Sequence, residues 1–569
     1  MDHEFIVVDD LTKIYPDAEP EPRSSDALFG TTGSTVAFQV AFRSHRQPRT
    51  PSWKRLSLRV NSSGSSNVAV SHVALQPARC PSWRQDLDDY EVVAPTLIPD
   101  LLIPLASGTG SAQTLIFEKH TGWNAIWVEV TLPSVGVDVE IYDGETLLFH
   151  THIDVDVLQA DIPRAPVSHL RWFHHDCIAD HYGVDMWSDD HWRAIATQME
   201  ASASLGATSV MMPLWTPPLD VQPGHYRRAT QLLGISQTDE GYSFDFSLAR
   251  KWVSLAQSHG LHQVELPPFF TQWGATSAAA FYVGYAPGIP EANTRDLPPT
   301  FGWDTDATQR EFQQFLAALI PAVRRFIEPL YGADNVFWHM SDEPRPEHLR
   351  SYQVASGAVT DYLEDTHIID ALSDPQYLPY VQTPVVATSE IKQFRSAGVE
   401  PHWVYYCVSQ STGQANQFMA QSGVHHRIQG FQFYKMRVRG FLHWGLNFYY
   451  SQWSLRLIDP MADTDAGGSF PSGDPFIIYP GPDYSTYLSL RHRMIAGAWR
   501  DLALAHYAET LIGRERVLAI IDPDATIDYD TGFPSAAEYR ARLRTLFDAV
   551  AQALTNDVHS PRQMQIHSI

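Results

Sequence analysis

Three cysteines in 569 residues, Cys80, Cys177 and Cys407, are too scattered and odd in number for a disulfide framework, and none has structural-zinc spacing. They read as buried thiols, and no metal or cofactor is implied. No apolar run is long enough to cross a bilayer, and the opening MDHEFIVVDDL carries acids where a secretory leader would carry lysine or arginine. A cytoplasmic chain without membrane partners is expected. Positive charge is also short: 40 basic residues face 65 acidic ones, and the resulting net charge of −25 repels nucleic acid and anionic lipid. A glycine-rich phosphate loop and a serine nucleophile elbow are missing too, which leaves nucleotide and esterase readings without support.

What is abundant is aromatic surface, 12% of the chain with 16 Trp and 24 Tyr. Flat rings fill large cores, and they also match the apolar faces of pyranose sugars. The length exceeds one hydrophobic core and predicts two or three domains.

Residues 1–160 carry period-two alternation at 35–42, 53–60, 67–73, 125–132 and 137–149, with a turn at Asp143-Gly144. This predicts an N-terminal antiparallel β-sandwich. Asn61-Ser62-Ser63-Gly64-Ser65-Ser66 reads as a flexible loop within it, and Asp161-Ile162-Pro163-Arg164-Ala165-Pro166 as the linker out of it. From 166 to 485 the pattern becomes apolar strand, then amphipathic helix. Strands are expected at 170–177, 208–215, 262–269, 335–341, 367–372, 385–389, 403–408 and 438–444, with helices at 190–205, 247–258 and 308–326. The economical fold is α/β, a TIM-like (β/α)8 barrel. A C-terminal helical region, 486–569, packs on it, with its clearest helices at 488–504 and 536–554.

In such barrels chemistry sits where the strands end. The fourth strand ends in Trp338-His339-Met340-Ser341-Asp342-Glu343-Pro344. Glycosidic cleavage needs one carboxyl group to protonate the leaving oxygen and a second group to support the positive centre. Neighbours on a strand face opposite ways, so Asp342 and Glu343 can share a cleft only where the chain bends, and Pro344 supplies the break. Asp239-Glu240, followed by Gly241, reads instead as a solvated turn.

Around that pair, Trp444 and Trp273 are either sugar-stacking rings or core. Tyr405 and Tyr406 alternate in facing, so at most one should reach the cleft. Asn447, Asp220 and Gln272 either partner sugar hydroxyls or tie loops together, and His174 and Tyr479 complete the substrate-binding set. His174-His175-Asp176 looks like a metal cluster, but contiguous residues diverge and no spaced partner completes a geometry. His425-His426 reads as a solvated loop feature.

The segment Phe337 to Pro344 resembles the catalytic segment of glycoside hydrolase family 123, the β-N-acetylgalactosaminidases. Pro213 to Asp220, Phe270 to Ala275, Arg439 to Asn447, and Gly473-Asp474 through Tyr479-Pro480-Gly481 match further segments in the same order, so the likeness spans about 166–510. One departure is Glu265-Leu266-Pro267-Pro268, where the resemblance leads one to expect a histidine before the Leu-Phe-Thr-Gln-like segment.

The resemblance implies a retaining, substrate-assisted reaction in which the sugar's own 2-acetamido oxygen is the nucleophile. Glu343 would then be the general acid and base. Asp342 would hold the acetamido N–H as an ionised carboxylate in a polar setting. A glycosidase acting without acetamido participation and a non-catalytic carbohydrate-binding protein are the alternatives. The partner expected is a small or oligosaccharide glycoside, and the sequence leaves a homo-oligomer open.

Overall fold

A computed structural model of the chain describes residues 3–24, 26–45, 53–64, 67–84, 90–107, 113–118, 122–285 and 297–559. Antiparallel sheets come first, then an eight-stranded parallel barrel with helices around it, then C-terminal helices.

Alternation decides what each face of the N-terminal sheets buries. In the strand Thr35–Ser44, Phe38, Val40 and Phe42 turn toward the opposing sheet and join Leu58, Val60, Val139 and Ile141 in one core. Ala41, with Ala125 and Trp127 of Asn124–Thr131, belongs instead to the large core shared with the barrel. Both faces of that sheet are therefore covered. The stretch 137–149 resolves into Gly136–Asp143 and Thr146–Leu158, paired antiparallel across the Asp143-Gly144 turn. In the serine-rich stretch, Asn61 and Ser62 finish a strand, while Ser65 and Ser66 lie outside the described residues.

One sheet also reaches past the expected boundary at residue 160. Thr486–Ser489 pairs antiparallel with Thr96–Ser107, and Tyr479–Pro480 adds to its other edge. A buried ion pair fixes this junction: Arg491 meets Asp100 at 2.8 Å, and the Tyr479 hydroxyl donates to the same carboxylate at 2.6 Å.

The barrel strands are β1 (Ser168–Arg171), β2 (Ser209–Val210), β3 (Val264–Glu265), β4 (Val336–His339), β5 (His367–Leu372), β6 (Thr383–Ala387), β7 (Trp403–Tyr405) and β8 (Gly440–His443). They pair in parallel in the order β2-β1-β8-β7-β6-β5-β4-β3, and a parallel bridge between Met211 and Glu265 brings β2 beside β3. Leu170, Met211, Phe337, Ile369, Val385 and Leu442 form the interior, while Val210, Val264, Trp338, Val404 and Phe441 pack outward in the larger core.

Several strands are shorter than their apolar runs. Pro213, Pro217 and Pro218 follow β2, and Pro267 and Pro268 follow β3; none has an N–H to continue the ladder. The first run is corrected most: β1 stops at Arg171, and His175–Tyr182 is helical.

The helices Asp189–Leu205, Ser247–Ser258 and Arg310–Tyr331 flank the barrel. Ser188 caps the first by accepting the His191 N–H, with Asp189 and Asp190 in its positive first turn. Leu490–Ile512 and Ala536–His559 follow at the C-terminal end. The His425-His426 pair is not a solvated loop. Ser422 caps a short buried helix, Gly423–Arg427, in which His425 stacks on Phe533 at 4.4 Å and His426 Nδ1 lies 2.9 Å from the Asn416 carbonyl. Cys177 and Cys407 are buried and Cys80 is partly exposed. Among the described residues no helix is long and apolar enough to cross a membrane.

Candidate active site

After β4 the chain turns over the top of the barrel. The Ser341 hydroxyl donates to the Thr271 carbonyl at 2.8 Å, and the Trp273 N–H donates to the Asp342 carbonyl at 3.1 Å, so the ends of β3 and β4 are tied together. Glu343 then takes φ +42°, in the left-handed region that side chains avoid. Such a residue costs of order 1–3 kcal/mol. Here it rotates two neighbouring carboxylates into one cavity. Asp220, Trp273 and Trp453 also have positive φ, and they line the same cavity.

That cavity measures about 230 Å³. Asp342, Glu343, Asp220, Gln272, Trp273, Tyr405, Tyr406 and Trp444 all border it, with Trp172, Arg345, Cys407, Gln452, Trp453 and Phe470, which sequence reasoning did not select. Tyr405 belongs to the interior cluster, and its hydroxyl donates to Glu343 Oε1 at 2.9 Å. Tyr406 belongs to the outer core and packs on Phe441 and His443.

Three of the expected residues sit elsewhere. His174 places Nδ1 3.2 Å from the Arg227 guanidinium and Nε2 3.1 Å from the Trp444 carbonyl; burial and Arg227 press its pKa down to about 3. Asn447 accepts the His174 N–H and donates to Gln198, beneath the cavity wall. Tyr479 is committed to Asp100 at the sheet junction. Strand-end position alone does not separate a residue that faces the opening from one that holds the wall behind it. The neighbouring Asp176 is taken by a two-pronged pair with Arg227, at 2.9 and 2.6 Å.

The two carboxylates have different partners. Asp342 accepts from Gln272 Nε2 at 2.7 Å, and Gln272 Oε1 in turn accepts the Asp220 N–H at 2.7 Å. Glu343 accepts from Tyr405, with Cys407 Sγ at 3.8 Å. Burial, reinforced by the adjacent Glu343, pushes Asp342 well above the usual carboxyl range against the pull of Gln272 and His339. Burial also raises Glu343, opposed by Tyr405, Cys407 and Arg345. At 3% exposure Asp342 has one hydrogen-bond donor among the described residues, Gln272, and burial outweighs it.

Beneath the pair lies a buried polar network. His339 Nε2 is 2.7 Å from Glu265 Oε1 and its Nδ1 is 3.4 Å from Asp370 Oδ1. Burial alone would depress this histidine, but Asp370 and Glu265 raise it to about 10, which favours its charged form beneath the carboxylates. Trp172 Nε1 donates to Glu265 at 2.9 Å, and Tyr352 donates to Asp370. Glu265 opens the segment Glu265-Leu266-Pro267-Pro268, in which the sequence departs from the family pattern. Two further carboxyls lie close: burial lifts Asp220 to about 7, and burial lifts Asp474, which accepts from Trp444 Nε1 at 3.1 Å, to about 8. Gly445 makes the last contact possible, since a Cβ there would lie 2.0 Å from the Asp474 carbonyl oxygen.

Residues 172–508, more than half of the chain, match the family model described as the glycoside hydrolase 123 catalytic domain. The chain belongs to glycoside hydrolase family 123. A solved family 123 glycoside hydrolase from Clostridium perfringens, described in terms of glycolipid glycan hydrolysis, superposes with a TM-score of 0.66 at 13% identity, covering 98% of this chain and 99% of that one. That likeness establishes the fold over nearly the full length. A family 2 glycosyl hydrolase from Bacteroides cellulosilyticus covers 80% of this chain and 47% of its own at 9% identity, with a TM-score of 0.26. No curated protein matches the sequence. As a family 123 glycoside hydrolase, the chain presents a small cavity at the barrel's strand ends whose buried carboxyls can exchange protons and offset a developing positive charge.

Proposed function

We propose that this family 123 enzyme is an exo-acting, retaining β-N-acetylgalactosaminidase that uses the substrate's acetamido group as nucleophile. The reading rests on one observation: adjacent carboxyls share a cavity but have different partners, Gln272 for Asp342 and Tyr405 for Glu343.

Glu343, kept protonated by burial, donates its proton to the leaving oxygen. As that bond breaks, the acetamido carbonyl oxygen attacks the anomeric carbon and forms an oxazolinium ring. Asp342 accepts the acetamido N–H. This second donor favours its charged form and reverses the effect of burial as positive charge develops. Glu343, now a carboxylate, takes a proton from water, whose oxygen opens the ring from the face the leaving group vacated, so configuration is retained. Trp273 and Trp444 supply ring surface for the sugar. A cavity of about 230 Å³ is below the ~300–1,000 Å³ of common ligand clefts, which favours a single terminal sugar over a threaded polymer. Glycolipid glycans, named for the Clostridium perfringens relative, are the proposed source of that terminal sugar.

A second reading has one observation in its favour. Asp220 is a third carboxyl in the cavity, and its Oδ2 has no hydrogen-bond partner among the described residues. It would serve as a protein nucleophile on a sugar lacking the acetamido group.

Hydrolysis of p-nitrophenyl β-glycosides of N-acetylgalactosamine, N-acetylglucosamine, galactose and glucose separates the two. Turnover confined to the N-acetylgalactosaminide, lost in Glu343→Gln, is expected. Turnover of plain galactoside would overturn obligatory acetamido participation.

A further inference from the structure

A second cavity, of about 560 Å³, opens where the N-terminal sheets, the barrel and the C-terminal helices meet. It shares no lining residue with the catalytic cavity. Its walls come from segments far apart in sequence: the turn around Thr32, the linker at Arg164, the end of the helix Asp189–Leu205, and the helices carrying Arg500 and Phe547.

Its charge runs against the rest of the molecule. The chain carries a net −25, yet Arg164, Arg427, Arg493 and Arg500 border this one space against Asp161 and Asp501. Two of the arginines are already paired. Arg427 holds Asp501 with Nε at 2.5 Å, and Arg493 meets Glu129 at 2.9 Å. Arg500 is different: half-buried, it has no hydrogen bond or ion pair among the described residues. Burial and the neighbouring Arg427 press its pKa down to about 10. Arg164, exposed on the linker, likewise has no such partner among the described residues.

Glu129 and Asp501 attract the Arg500 charge from a distance without bonding it, and an oxyanion among its N–H groups would supply the direct charge-assisted hydrogen bonds it lacks. The surroundings suit a polar ligand. Thr31, Thr32 and Ser34 line the space together with Trp499 and Phe547, the Ser34 hydroxyl bonded to the Thr31 carbonyl and the Thr32 hydroxyl to Gln159. The volume lies within the ~300–1,000 Å³ typical of small-ligand sites.

We propose that this cavity is a binding site, separate from the catalytic one, for a monosaccharide-sized ligand bearing an oxyanion, a carboxylate, sulfate or phosphate, held by Arg500 and Arg164. The assignment is independent of which glycoside the enzyme cleaves.

The test is isothermal titration of the full-length protein with sodium sulfate, sodium phosphate and glucuronate, each against sodium chloride of equal ionic strength, with glucose as the neutral control. Saturable binding is expected for at least one anion and absent for glucose. In Arg500→Met, which keeps the apolar stem, affinity should fall about tenfold, the loss of one charge-assisted contact. Arg164→Ser, at an exposed position, should weaken the same binding and serves if Arg500→Met does not fold. Binding of glucuronate alone would assign acidic sugars, and binding of the inorganic ions would assign the oxyanion itself. No saturable binding of any anion, equal binding of glucose, or binding unchanged in the two variants would overturn the proposal.

Discussion

The Tyr405 hydroxyl donates to Glu343 Oε1 at 2.9 Å, joining the last residue of β7 to the turn after β4. A hydrogen bond to the carboxylate favours its charged form, so this contact opposes the rise that burial imposes on Glu343. Removing it should raise the Glu343 pKa further. With Glu343 as the acid, the alkaline limb of the kcat/KM profile in Tyr405→Phe should move to higher pH. A pH–rate series on the aryl N-acetylgalactosaminide checks this, and an unmoved limb would place the acid elsewhere.

Gln272 plays the corresponding part for Asp342, lowering a carboxyl that burial and Glu343 both raise. In Gln272→Ala the Asp342 pKa should climb. With Asp342 as the proposed carboxylate, the acidic limb should now shift upward while the alkaline limb stays. Paired profiles of the two variants thus distinguish the roles assigned to the two carboxyls.

Stability should depend on pH through the buried carboxyls. Asp220 at about 7 and Asp474 at about 8 lie above the ordinary 3.8, so the folded chain keeps protons that the unfolded chain releases. Their contribution is complete below about pH 3.8 and is lost as pH rises toward 7 and 8. Asp474→Asn should flatten the fall in melting temperature between about pH 4 and 8, read by scanning calorimetry.

Tyr479→Phe separates structure from catalysis. Its hydroxyl serves the buried Asp100–Arg491 pair, so the variant should lose about 1–2 kcal/mol of stability with KM unchanged. Arg491→Met, which strands Asp100, should cost more, about 3–5 kcal/mol. Denaturant unfolding measures both.

The barrel was legible because its strands are apolar runs between amphipathic helices, and β5 lies where the pattern puts it, at His367–Leu372. Strand ends were less legible: β1 stops at Arg171 because the following His174-His175-Asp176 segment turns toward Arg227 and the start of a helix, a tertiary choice. Asp342 and Glu343 stood out because a carboxylate pair before a proline is chemically unusual at a strand end. The supporting network did not stand out. Glu265, His339 and Asp370 come from three strands, and their meeting is a property of barrel closure. The one available signal was Asp370, a charged residue inside the apolar run His367–Leu372. Tyr479 and Asn447 show the converse: each lies in a family-like segment and each is occupied in holding the fold.

If the substrate's acetamido oxygen attacks with Asp342 and Glu343 assisting, the rate must follow the charge available on that oxygen. The most direct test compares kcat/KM for aryl β-N-acetylgalactosaminides whose acetamido methyl carries zero, one, two or three fluorines, each of which withdraws charge from the carbonyl oxygen. A steep, regular fall with each fluorine is expected in the wild-type enzyme. A flat series would contradict it and assign the nucleophile to the protein, with Asp220 the first candidate.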